Sequence, residues 1–69
     1  MSQNEKILQY CKDFGSISSL EAFRDLGITR LSARIWEIER SGKTISRAVE
    51  TGKNRYGEPT RWLRYRIEV

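Results

Sequence analysis

The sequence predicts an α+β fold: three short helices followed by a two- or three-stranded antiparallel sheet. Three observations point to it. Single glycines at 15, 27 and 42 close three segments whose apolar residues recur at helical spacing. Two later runs alternate apolar and polar residues, as half-buried strands do. A loop rich in Gly, Asn and Pro, holding Lys53 and Arg55, joins those runs.

The first helix is expected at about 3–14, with Ile7, Leu8, Cys11 and Phe14 on its apolar side. Ser2 or Asn4 can cap it, and Gly15 stops it. Residues 16–18 read as a short extended link. Ser18 and Glu21 then form a Ser-x-x-Glu capping box, opening a second helix at about 19–26. Its expected stripe is Leu20, Phe23 and Leu26, and Gly27 ends it. Thr29 is expected to cap a third helix at about 30–41. Ile28, Leu31, Ile35 and Ile38 form its buried stripe. Two short helices joined by a glycine turn make a helix-turn-helix unit.

Strands are expected at about 44–51 and 61–68, with a loop over 52–60 between them. In the second run Leu63, Tyr65, Ile67 and Val69 share one face. Trp62, Arg64, Arg66 and Glu68 share the other. Pro59 falls just before this strand, where its missing N–H does least harm.

The chain has 69 residues, room for one small domain over 1–69. No run approaches the roughly 20 apolar residues of a membrane span. The first ten residues lack the basic start and long apolar stretch of a signal peptide, so a cytosolic protein is expected. Histidine is absent, which excludes nucleophile–base pairs built on it. The single cysteine, Cys11, reads as a small buried apolar residue, and no zinc cluster or phosphate loop is present in the sequence. No enzyme, cofactor or metal site is expected.

The net charge of +4 is unevenly spread. Residues 1–29 hold three cations against four anions, and residues 30–69 hold ten against five. Eight of the nine arginines lie in the basic part. The planar fork of Arg pairs with phosphates and guanine edges, so this bias favours nucleic acid.

Three helices and a hairpin with a basic tip follow the order of a winged helix. Three runs are distinctive: SISSLEAFRDLGITRLSARI at 16–35, KNRYG at 53–57 and RYRI at 64–67. On these, from Ile7 to Val69, the chain resembles the winged helix-turn-helix domains found in phage and prophage genes. The resemblance implies the fold and a DNA-binding role in a bacterial host cytosol.

On the third helix, Thr29, Arg30, Ala33, Arg34, Glu37 and Arg40 are expected to face away from the core, with Ser32 and Trp36 on a flank. Arg30 and Arg34 are the candidates for guanine or phosphate contact, and Ala33 for a thymine methyl. Thr29 and Ser32 can donate to phosphate at the helix N-terminus. Glu37 can accept from cytosine, or pair with Arg34 or Arg40. Trp36 reads as a boundary residue packed under the wing or first helix, or as a partner anchor. In the wing, Lys53, Asn54 and Arg55 are DNA candidates, with Asn54 and Gly57 as turn formers on the plainer reading. Tyr56 is left between DNA contact and packing back on the sheet. Arg64 and Arg66 are candidates for phosphate.

The expected function is therefore sequence-specific or architectural binding of duplex DNA, as a phage regulator or a recombination accessory factor. The protein would be a monomer in solution or a weak dimer on DNA. The alternative is a winged helix used as a protein-binding module that modulates a host or phage complex, through the Trp62/Arg64 face.

Overall fold

A computed structural model describes residues 1–68. The elements run α1 (Gln3–Phe14), β1 (Ile17–Ser18), α2 (Ser19–Leu26), α3 (Leu31–Arg40), β2 (Ile45–Lys53) and β3 (Pro59–Ile67). The three helices followed by an antiparallel sheet match the predicted class. The sheet has the order β1-β3-β2.

Local chemistry sets the helix ends. The Ser2 hydroxyl accepts from the Glu5 N–H at 3.1 Å to open α1. In α2 both halves of the capping box form: Glu21 N–H donates to Ser18 Oγ, and Ser18 N–H donates to Glu21 Oε1. Gly27, at φ 70°, takes the left-handed turn that ends α2. That turn sends Ile28 straight into the core. The start of α3 differs from the expectation. Its N-cap is Arg30, with no side-chain cap, so Thr29 stands one position too early to serve.

The core is Ile7, Cys11, Ile17, Ala22, Ile28, Leu31, Ile35, Ile38, Tyr65 and Ile67. The α3 stripe is buried as its spacing predicts. The α2 stripe is not. Leu20 and Phe23 are 69% and 60% exposed, and the buried residue is Ala22. At 100° per residue Ala22 and Leu26 lie about 40° apart, and this is the face that packs on the core, with Leu20 and Phe23 turned away from it. Phe14 also faces outward, stacked on Tyr10 at 4.7 Å.

The link at 16–18 contributes a strand: Ile17 pairs with Tyr65 and Ser18 with Arg64. Beyond those pairs the sheet narrows to a β2–β3 ribbon, from Val49↔Leu63 out to Lys53↔Pro59. This ribbon runs about 14 Å at the usual strand rise and leaves Val49 exposed. It helps to make the molecule 39 × 22 × 21 Å. The strands extend further toward the tip than the sequence predicts, and the connecting loop is shorter. Val69, expected on the buried face of β3, lies outside the described residues.

Candidate nucleic-acid interface

The face of α3 opposite Leu31, Ile35 and Ile38 is uncovered among the described residues. At its start Thr29, Arg30 and Ser32 are exposed, and Ala33 is half-buried. Arg34 does not point away as expected. It sits about 60° from the core stripe on the helical wheel and is half-buried. Its Nε lies 3.0 Å from Glu37 Oε1, close enough for an ion pair. The N–H is not aligned on that oxygen as a hydrogen bond. Glu37 is thus paired with Arg34, one of the two partners expected for it within the chain.

Trp36 is the largest departure on this helix. It is 55% exposed and packs under neither the wing nor α1. The Arg40 guanidinium lies over its ring, 4.7 Å from the centroid. The wheel places Ala33, Trp36 and Arg40 within about 60° of one another, on the outward ridge. Arg40 faces outward as expected, and Trp36 stands on the ridge rather than on the expected flank, where 100° steps from Ile35 also place it.

The wing turn is built by Asn54. Its Oδ1 accepts from the N–H groups of Tyr56 and Glu58, at 2.9 and 3.0 Å, and its Nδ2 donates to Glu58 Oε1 at 3.1 Å. This amide is committed to the turn, so the structure favours the turn-forming role for Asn54 over contact with a partner. Gly57 completes the turn at φ 76°. Lys53, Arg55 and Tyr56 are exposed, and Tyr56 does not fold back on the sheet. Lys53 and Arg61 share a ribbon face with Val49 and Leu63, the face that becomes the core side at Tyr65 and Ile67. Arg61 is a further candidate, and strand alternation in the sequence already places it on that face.

The base of β2 is braced against α3. Arg47 on β2 makes a two-point contact with Glu39, at 3.2 and 3.3 Å, and lies over the Tyr65 ring. That hydrogen bonding lowers the carboxyl pKa of Glu39.

Arg64, expected at phosphate, is engaged inside the protein. Its Nε donates to Glu50 at 2.7 Å. Its Nη1 donates to Glu21 at 2.7 Å and to Ser16 at 3.0 Å. Burial pushes the Glu21 carboxyl up, but hydrogen bonds from Arg64 and Ser18 outweigh it and hold the pKa below the ordinary value. Hydrogen bonds from Arg64 and then Trp62 lower that of Glu50. The Trp62 indole donates to the same Glu50 oxygen at 2.9 Å and lies across Gly52, where a Cβ would come within 2.9 Å of the ring. Arg66 is exposed, but alternation puts it on the sheet face opposite Tyr65 and Ile67, away from the core.

Among the described residues, Arg24, Arg34, Arg47 and Arg64 are in ion pairs. Nine cations are not: Arg30 and Arg40 at the two ends of α3 and Lys53, Arg55 and Arg61 along the ribbon and its turn, with Lys6 and Lys12 on α1, Lys43 after α3 and Arg66 on the outer sheet face. No cluster of metal-ligating side chains occurs among the described residues. Among the same residues no helix is long and apolar enough to cross a membrane.

No curated protein and no solved structure matches the chain. A family model described as a winged helix-turn-helix domain matches residues 2–68. Domains of this kind are in general DNA-binding modules rather than enzymes. With that match over nearly its whole length, and three helices leading into a projecting β-ribbon, the chain belongs to the winged helix-turn-helix domain family.

Proposed function

We propose that the protein binds duplex DNA, with α3 in the major groove and the wing along the flanking backbone. The observation that carries this reading is that five of the nine cations without an ion-pair partner among the described residues gather along α3 and the wing. Arg30 and Arg40 stand on α3, and Lys53, Arg55 and Arg61 on the wing. A helix about 10–12 Å across fits a major groove of about 12 Å. Thr29 and Ser32 donate to phosphate at the start of α3, where no side chain caps the free N–H groups. Arg30 takes a base edge or a phosphate, and Ala33 lets the helix approach closely.

The protein acts in a host cytosol as a phage transcriptional regulator or as an accessory factor in recombination. It binds as a monomer or as a weak dimer formed on the DNA. A fluorescence anisotropy titration with random duplex DNA at several salt concentrations tests the binding. The expected result is micromolar or tighter affinity, with log K falling by about 0.9 per phosphate neutralised. Replacing Arg30 and Arg40 together by Ala should lower affinity and flatten the slope by about 2. No binding at low salt would overturn the reading. Bending of an end-labelled duplex, read by energy transfer, separates the architectural role from the regulatory one.

A second reading has an observation of its own. Leu20 and Phe23 are exposed on α2, and Leu20 lines a shallow groove with Trp62 and Arg64. That surface supports use as a protein-binding module. Leu20→Ser with Phe23→Ser should then abolish partner capture while leaving DNA affinity unchanged.

A further inference from the structure

We infer that Trp36 reads thymine methyl groups in the major groove, with Arg40 held over its indole to reach the adjoining phosphate. This inference rests on the duplex-DNA reading above and names a residue that determines sequence preference.

The indole lies on the outward ridge of α3, more than half exposed. One turn earlier on that ridge stands Ala33, too small to hold the helix off the groove floor. One turn later stands Arg40, its guanidinium 4.7 Å from the indole centroid. Glu37, whose charge would repel phosphate, is drawn aside by Arg34. The ridge therefore presents a small residue, a large apolar plate and a cation in succession. The apolar group that B-DNA displays in the major groove is the C5 methyl of thymine. A Trp has no acceptor to meet adenine or cytosine donors, and its one N–H makes a poor substitute for an Arg fork on guanine. Apolar contact with a methyl is the recognition its chemistry suits. The cation–π contact holds Arg40 beside the plate, so fewer rotamers are lost when it meets phosphate.

The experiment uses the full chain and a duplex selected by the wild type from a randomised library. Each thymine of that duplex is replaced in turn by deoxyuridine, which removes the methyl and leaves the pairing intact. At one or two positions the wild type should lose about fourfold in affinity, the worth of one buried methyl. Trp36→Ala should bind the thymine and uracil versions equally, and Trp36→Phe should recover part of the discrimination. The thermal unfolding of each variant should match the wild type, because the indole is exposed. Should Trp36→Ala fail to fold, quenching of Trp36 fluorescence in a Trp62→Phe background takes its place, and quenching that is the same on both duplexes counts against the inference. Binding that ignores every thymine methyl would overturn this inference and leave duplex binding standing. Unchanged affinity and preference in Trp36→Ala would do the same, and would turn attention to a protein at that indole. A wild type that selects no duplex would overturn both readings.

Discussion

The Arg64 guanidinium meets the Glu21 carboxylate at 2.7 Å, joining the central strand to the capping box that opens α2. Glu21 lies 43 positions earlier in the chain. The same arginine reaches Glu50 on the neighbouring strand. One side chain therefore ties α2, β3 and β2 together where the ribbon leaves the body of the fold.

Arg64→Ala should destabilise the protein by about 1–2 kcal/mol, since it removes charge-assisted hydrogen bonds at a partly exposed site. Arg64→Lys should recover less than half, because an ammonium cannot span both carboxylates as the fork does. Urea unfolding measures both. Duplex affinity of the folded fraction should stay near wild type, which separates this role from phosphate contact.

Acid should weaken the fold through the same pair of carboxylates. The pKa values of Glu21 and Glu50 are lowered in the folded state. Their contribution is therefore present above the unfolded carboxylate pKa and is lost as pH falls through the folded one. Stability should be level above about pH 5 and decline below about pH 4. Glu21→Gln should be less stable at neutral pH and show a shallower acid limb in denaturant titrations at stepped pH.

Cys11 should be inert in the native protein. It is 4% exposed, and burial pushes its thiol up to about 11. Thiol-reactive dye at pH 8 should label it only as fast as the protein opens, and at once in denaturant. Rapid labelling of folded protein would contradict its place in the core.

Asn54→Ala should loosen the wing turn at a cost of about 1 kcal/mol or less, because its hydrogen bonds are exposed. Amide exchange at Tyr56 and Glu58 should accelerate. Lys53→Ala with Arg55→Ala should leave that exchange unchanged and flatten the salt slope of DNA binding by about 2. A DNA defect in Asn54→Ala as large as in the double variant would assign the amide a direct contact.

Much of the fold was legible because its signals are local. Ser18 and Glu21 are three residues apart, and their capping box forms as read. Ile28, Leu31, Ile35 and Ile38 recur at one helical period, and all four are buried. The extended link at 16–18 was legible, but its pairing as a strand with Tyr65 and Arg64 was not, because so short a segment has no period of its own. The candidate site was read less fully. Arg30, Lys53 and Arg55 are exposed where the sequence places them. Arg34, Asn54 and Arg64 instead make contacts within the chain. Residue type marks an arginine as a phosphate candidate, but nothing local says whether a carboxylate has already met it.

Legible in the chain alone are the three helices and two long strands in their order, the glycine turns, the buried stripe of α3 and the bias of positive charge toward the second half. These follow from backbone sterics, capping and periodicity, which act over a few residues. Packing set which face of α2 is buried and which arginines are neutralised. Those outcomes depend on groups brought together from distant positions: Ala22 enters the core while Leu20 and Phe23 stay outside, and Arg64 meets Glu21 across 43 residues. Packing selects among the faces that periodicity allows, and proximity in space selects which charges remain free to meet a partner.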